Sequence, residues 1–140
     1  CAALIVVDTN VLSELMRSAP SAEVIEWLRA NAAAIAIPSV VIGELRYGVA
    51  RLPAGRRKDS LAAALDALIE RFSGSLIAYD VLAANACGDL LAKAEAAGRP
   101  MNLADAQIAA CAQVARAALA TRNVADFATT GLKIIDPWTA

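Results

Sequence analysis

Leu4-Ile5-Val6-Val7-Asp8-Thr9-Asn10 decides the fold. Its first four residues are apolar and mostly β-branched, which suits a strand buried on both faces of a sheet. The run then stops at a carboxylate. In an open parallel α/β sheet, ligands bind beyond the carboxyl ends of the strands. Asp8 is therefore expected on that lip, with Thr9 or Asn10 capping a helix that begins near Val11. A plainer reading competes with this one: Asp8-Thr9-Asn10 only turns the chain and caps the helix.

Outward from this strand, strands and helices alternate. Residues 11–17 read as a short helix broken at Pro20, and Ser21 caps a second helix carrying Val24, Ile25, Trp27 and Leu28. Residues 33–37 read as a second strand ended by Pro38, and residues 39–52 as the helix after it. Pro53-Ala54-Gly55 turns the chain into an amphipathic helix over 56–72. A third strand is expected over 76–79. Asp80 then caps a helix over 81–97 that Gly98 and Pro100 terminate. Asn102 opens a helix running to about Arg116, and Asn102-x-x-Asp105 resembles a capping box. Residues 117–121 and 133–135 are the fourth and fifth strands, separated by a polar turn or short helix over 123–128. The pattern predicts one α/β domain over residues 1–140, Rossmann-like, with three α/β/α layers around a central, mostly parallel four- to five-stranded sheet.

Composition narrows the chemistry. A chain of 140 residues that is 59% hydrophobic can bury a real core and is not disordered. A net charge of -1 argues against wholesale coating of nucleic acid but leaves room for a local basic patch. The longest apolar run, residues 32–42, is broken by Pro38 and Ser39, so no membrane span is expected. The apolar stretch before Asp8 is too short for a signal-peptide core, and a cytoplasmic protein is expected. Cys87 and Cys111 read as small core residues and Cys1 as a terminal residue, all in a reducing compartment. Histidine is absent, which removes Ser-His and Cys-His nucleophile pairs, His-ligated zinc and His acid–base work. The remaining chemistry runs on carboxylates, and carboxylate-rich sites select hard cations such as Mg2+ or Mn2+.

Asp8, Asp105 and Asp126 stand where strands end or helices begin, and Glu44 comes from the helix after the second strand. If the strands are parallel, their carboxyl ends share one rim and acids distant in sequence can converge. Gathered carboxylates raise one another's pKa unless a cation offsets the repulsion. A metal held there polarises a phosphoryl oxygen and acidifies water. Each acid also has an ordinary reading: Glu44 as a solvated helix residue, Asp105 as a cap, Asp126 as a turn residue. Arg46, Arg51, Arg56, Arg57 and Lys58 fall in a short segment containing no acid. Such a run can be a solvated helix end or a phosphate-binding surface. Arg56-Arg57-Lys58 at a helix N-terminus opposes the dipole, and a negative partner would relieve this.

Read in order, Val6-Val7-Asp8-Thr9-Asn10-Val11-Leu12, Gly43-Glu44-Leu45-Arg46-Tyr47-Gly48, Ala104-Asp105-x-x-Ile108-Ala109-Ala110, Ala120-Thr121-Arg122-Asn123 and Pro137-Trp138 resemble a PIN-domain ribonuclease. The likeness is to the VapC-type toxin of a VapBC toxin–antitoxin pair, in the branch that includes FitB-like proteins. It implies a single PIN domain acting as a Mg2+- or Mn2+-dependent endoribonuclease, with metal ligands at Asp8, Glu44 and Asp105. The fourth acidic position of the family falls on Asn123, a departure that Asp126 can make good. Thr9 and Thr121 match the small hydroxyl residues lining such sites, and Asn10 joins them as a candidate substrate-binding residue. The resemblance also implies a homodimer, an RNA substrate, and a cognate VapB-type antitoxin that carries the toxin to operator DNA. The alternative is a non-catalytic PIN-like module that binds RNA or a protein partner. A phosphatase using Asp8 as nucleophile ranks below both, because Asn10 stands where a second Asp is wanted.

Overall fold

The computed structural model describes residues 3–140; Cys1 lies outside them. Five strands, β1 (Ile5–Val7), β2 (Ile35–Pro38), β3 (Leu76–Ile77), β4 (Ala118–Ala120) and β5 (Ile134–Ile135), form one sheet in the order β3-β2-β1-β4-β5. Every pairing is parallel: Ile5 faces Ile35 and Ala118, Ile37 faces Leu76, and Leu119 faces Ile134. The sheet is thus wholly parallel, and all strand carboxyl ends lie on one rim.

Six helices join the strands: α1 (Thr9–Leu15), α2 (Ala22–Ala30), α3 (Ser39–Ala50), α4 (Arg56–Arg71), α5 (Val81–Ala96) and α6 (Leu103–Ala115). The chain moves outward from β1 to β3, then returns past β1 to β4. The strand order therefore reverses between β1 and β4, the switch point where open α/β sheets leave a crevice. Val6, Val7, Ile37 and Leu119 are fully buried in the sheet, as the unbroken β-branched and aliphatic runs require. Cys87 and Cys111 are free and buried in α5 and α6.

Several element boundaries differ from the sequence expectation, and at three of them a polar group takes a backbone partner. Helix α1 starts at Thr9, since Asp8 itself is the cap: its Oδ1 accepts the Thr9 N–H at 2.7 Å. Ala32–Ala34 form a 3₁₀ turn closed by Ala34 N–H on the Asn31 carbonyl, so β2 begins only at Ile35. Strand β3 stops at Ile77 because the Tyr79 N–H is given to Ser39 Oγ at 3.2 Å instead of to the sheet. Caps foreseen at Ser21, Asp80 and Asn102 are present, each side chain accepting a first-turn N–H. No helix among the described residues is long and apolar enough to cross a membrane.

Candidate active site

Asp8 leaves β1 at the switch point with only 4% of its surface exposed. Its backbone is still held by the sheet, the N–H donating to the Ala120 carbonyl of β4 at 2.9 Å. On the neighbouring strand, Thr121 is held the same way by the Ile135 carbonyl at 2.9 Å and is fully buried. Thr121 Oγ1 donates to Asp8 Oδ2 at 2.7 Å. The same oxygen accepts the Asn123 N–H at 3.1 Å and the Asn10 amide at 3.3 Å. Asn10 also reaches Asp8 Oδ2 at 3.4 Å and accepts the Arg122 N–H at 3.3 Å. One carboxylate and two small polar residues thus lock the ends of β1 and β4 together.

Thr9 links this cluster to α3. Its hydroxyl donates to Glu44 Oε1 at 2.6 Å, which fixes a half-buried acid beside the end of β1. Asp105, in the first turn of α6, is held by a side-chain variant of the capping box. Its N–H donates to Asn102 Oδ1 at 2.8 Å, and Asn102 Nδ2 donates back to Asp105 Oδ2 at 3.0 Å. Asp126 sits in the 3₁₀ turn Val124–Phe127 after β4, exposed, and lines a cleft together with Asp105.

The four acids feel one another. Burial pushes the Asp105 carboxyl up to about 6, and the charges of Asp8, Asp126 and Glu44 add to the rise. Burial likewise raises Asp8, opposed by the bonds from Thr121 and Thr9 and reinforced by Glu44 and Asp126. Among the described residues no three His, Cys, Asp or Glu side chains stand close enough together to hold a metal ion as they are placed. The donor set nonetheless fits a hard divalent cation: every candidate ligand is an oxygen, and positive charge is what the mutually repelling carboxylates lack.

The basic residues divide. Arg46 pairs with Asp66 at 2.5 Å, Lys58 Nζ donates to the Ala50 carbonyl at 2.9 Å, and Arg51 stacks over Tyr47 with 5.6 Å to the ring centroid. Lys58 thereby caps the negative end of α3, which relieves part of the dipole conflict at the start of α4. Arg51 and Arg57 line the larger cleft of about 800 Å³ with Thr9 and Glu44, whereas Arg46, Arg56 and Lys58 do not line it. Sequence reasoning left Arg122 outside the candidate site. Its guanidinium lies 4.9 Å from the centroid of the Trp138 ring, and its backbone is tied to Asn10. Its place between Thr121 and Asn123 was the available signal.

A fully parallel five-stranded sheet with Asp8 buried at its switch point defines an α/β domain with acidic side chains along one rim. The chain belongs to the PIN-domain family, whose model matches residues 5–131, and within it to the VapC- and FitB-type toxins. It is 39% identical to the plasmid stability protein StbB of Pseudomonas syringae pv. tomato, covering 98% of this chain and all of that protein. It is 34% identical to the VapC ribonuclease Y4jK of Sinorhizobium fredii, covering 96% of this chain and 98% of the relative. The crystal structure of FitAcB from Neisseria gonorrhoeae matches with a TM-score of 0.90 at 29% identity, covering 98% of this chain and 100% of that one.

Proposed function

We propose that this chain is a metal-dependent endoribonuclease toxin of a type II toxin–antitoxin module, a single PIN domain over residues 1–140 acting in the cytoplasm. What supports the reading is the polar cluster at the β1–β4 switch point, where Thr121 holds Asp8 and Thr9 holds Glu44, together with the charges of Asp8, Asp126 and Glu44 that help to raise Asp105. Support for RNA as the substrate comes from the likeness to a VapC ribonuclease. Support for an antitoxin comes from the likeness to Toxin FitB of Neisseria gonorrhoeae and to a toxin–antitoxin complex from Klebsiella pneumoniae. On this reading the protein works as a homodimer and reaches operator DNA only through its antitoxin.

Asp8, Asp105 and Glu44 would hold Mg2+ or Mn2+. When bound, the cation supplies Lewis-acid chemistry towards a phosphodiester oxygen and towards water. Each side chain has its own task. Thr121 and the Thr9 N–H orient the Asp8 carboxylate, leaving its remaining lone pairs for the site. Thr9 aims Glu44. Asn102 holds Asp105 at Oδ2, and a carboxyl that stands at about 6 without a cation would be ionised on binding one. Arg51 and Arg57, together with Arg46, Arg56 and Lys58 on the surrounding surface, would attract the RNA backbone.

The test is hydrolysis of total RNA by purified, antitoxin-free protein. Cleavage is expected in Mn2+ or Mg2+, is expected to stop in EDTA and to return when the cation is restored. Binding of RNA without cleavage at saturating Mn2+ would favour the non-catalytic module instead.

The fourth position gives a further expectation. Asp126 adds negative charge to both Asp8 and Asp105, whereas Asn123 contributes its backbone N–H to Thr121. Asp126→Asn is therefore expected to lower the cleavage rate about 10- to 100-fold, the range for residues that support a metal site. Asn123→Ala should cost less. Steady-state cleavage of one RNA substrate by both variants checks the order, and the reverse order would assign the position to Asn123.

A further inference from the structure

The acids are shared between two clefts. Glu44 and Thr9 line one, with Arg51 and Arg57. Asp105 and Asp126 line the other, of about 380 Å³, where Arg99 is the only cation among the lining residues. We propose, resting on the nuclease reading above, that Arg99 grips an RNA phosphate on the Asp105–Asp126 side of the scissile bond. The strand then crosses the acids between two arginine-bearing clefts.

The place of Arg99 is set by the backbone. Helix α5 ends in a Schellman motif: Gly98, at φ 73°, donates to the Glu95 carbonyl, and the Arg99 N–H returns to the Ala94 carbonyl at 2.9 Å. The chain then turns at Pro100 towards the cap of α6. Arg99 is thereby projected along the wall that carries Asn102 and Asp105. Its Nη2 donates to the Ala125 carbonyl on the opposite wall at 3.4 Å, next to Asp126. That bond uses one of five guanidinium donors. Among the described residues Arg99 forms no ion pair, although two carboxylates line its cleft.

An arginine that spans a cleft without pairing to the acids there is available to an anion. A cleft holding two carboxylates repels a polyanion unless a cation is aimed at it, and a planar guanidinium suits a phosphate. The repeating charge of a phosphodiester strand explains why cations stand in both clefts. One strand can engage Arg51 and Arg57 at one end and Arg99 at the other.

The test is the salt dependence of RNA binding. A labelled, randomised single-stranded RNA is titrated with the full-length protein in Ca2+, an oxygen-ligated cation that offsets the acids, over a range of salt concentrations. Each phosphate contact on a single strand contributes about 0.7 to the slope of log K against log salt. Arg99→Ala is expected to reduce the slope by about that amount and to weaken low-salt binding about tenfold. Arg99→Lys is expected to keep the slope. The Schellman bonds use only backbone atoms of residue 99, so the cap survives both changes. In Mn2+, Arg99→Ala should raise KM and leave kcat within about twofold, since a grip on a phosphate other than the scissile one holds ground state and transition state alike and is uniform binding. A purely structural role would lower the melting temperature and leave the slope unchanged. If the wild type binds and cuts RNA while Arg99→Ala keeps its slope and KM, this proposal is overturned and the nuclease reading stands. That holds equally if Arg99→Ala weakens only the binding of an acidic protein segment. If the wild type neither binds nor cuts RNA, both fall.

Discussion

Replacing Asp8 with asparagine is expected to lower RNA cleavage by about two to three orders of magnitude, the range for removing one preorganised electrostatic group, while the fold persists. The side chain keeps its shape and its oxygen for the Thr9 N–H, but loses the charge with which it would bind a cation. Two effects on stability oppose each other. Burial works against the Asp8 carboxylate, so neutralising it returns free energy. Against this, the charge-assisted bond from Thr121 at 2.7 Å is lost. The new amide N–H₂ also faces a Thr121 hydroxyl that already accepts from Asn10 and Asn123. The two effects are of similar size, and the net change is expected to stay within about 1 kcal/mol. Cleavage rates in saturating Mn2+, measured beside urea unfolding, separate chemistry from folding. Full activity in a folded Asp8→Asn protein would remove Asp8 from the reaction. Loss of activity together with loss of folding would make it a structural cap.

The parts of this site that were legible in the sequence are those that local pattern controls. A β-branched run ending in Asp8 specifies a central parallel strand and places a carboxylate on its rim, because strand direction and burial follow from the run itself. Glu44 was legible as the lone acid of an apolar and basic helix, and Asp105 as a first-turn residue behind Asn102. What local pattern does not encode is the partner of a long side chain. The stretch from Arg46 to Lys58 reads as one basic surface. Yet Arg46 is engaged by Asp66 from the next helix and Lys58 by the last carbonyl of α3, contacts that exist only once α3 and α4 pack. Arg99 and Arg122 escaped notice for the converse reason. They are single charges in loops, and their neighbours Ala125 and Trp138 come from other parts of the chain. The dual role of Asp8 was hidden by a choice of three cap residues in a row. The carboxylate won because it accepts the Thr9 N–H and also closes onto Thr121, tying helix start and sheet rim in one group.

The same carboxylates should make the metal-free protein less stable as pH rises towards neutrality. The Asp105 carboxyl stands at about 6 in the folded chain against an ordinary 3.8. Between those values the folded state binds more protons than the unfolded state, so the stability it contributes is present at the acid end and lost as pH climbs through about 6. A gap of roughly two units corresponds to about 3 kcal/mol at full strength, and partial exposure and screening reduce this to about 1–2 kcal/mol. Asp8 is raised as well and acts in the same direction. Glu14 runs the other way: bonds from Ser21 and Arg17 hold it below its ordinary 4.5, so its stabilisation fades only below that value, outside this window. A divalent cation should reverse the trend, because it binds the deprotonated acids and competes with protons. At a hundred times its Kd it adds about 2.7 kcal/mol, which for a chain of this size raises the melting temperature by roughly 8–10 °C at pH 7 and by less at pH 5. Thermal unfolding between about pH 4.5 and 7.5, with EDTA or Mn2+, reads both effects, and Asp105→Asn should flatten the EDTA curve. Stability that climbs with pH in EDTA and ignores Mn2+ would mean that these acids do not share a cation, and the chemistry built on their convergence would fail with it.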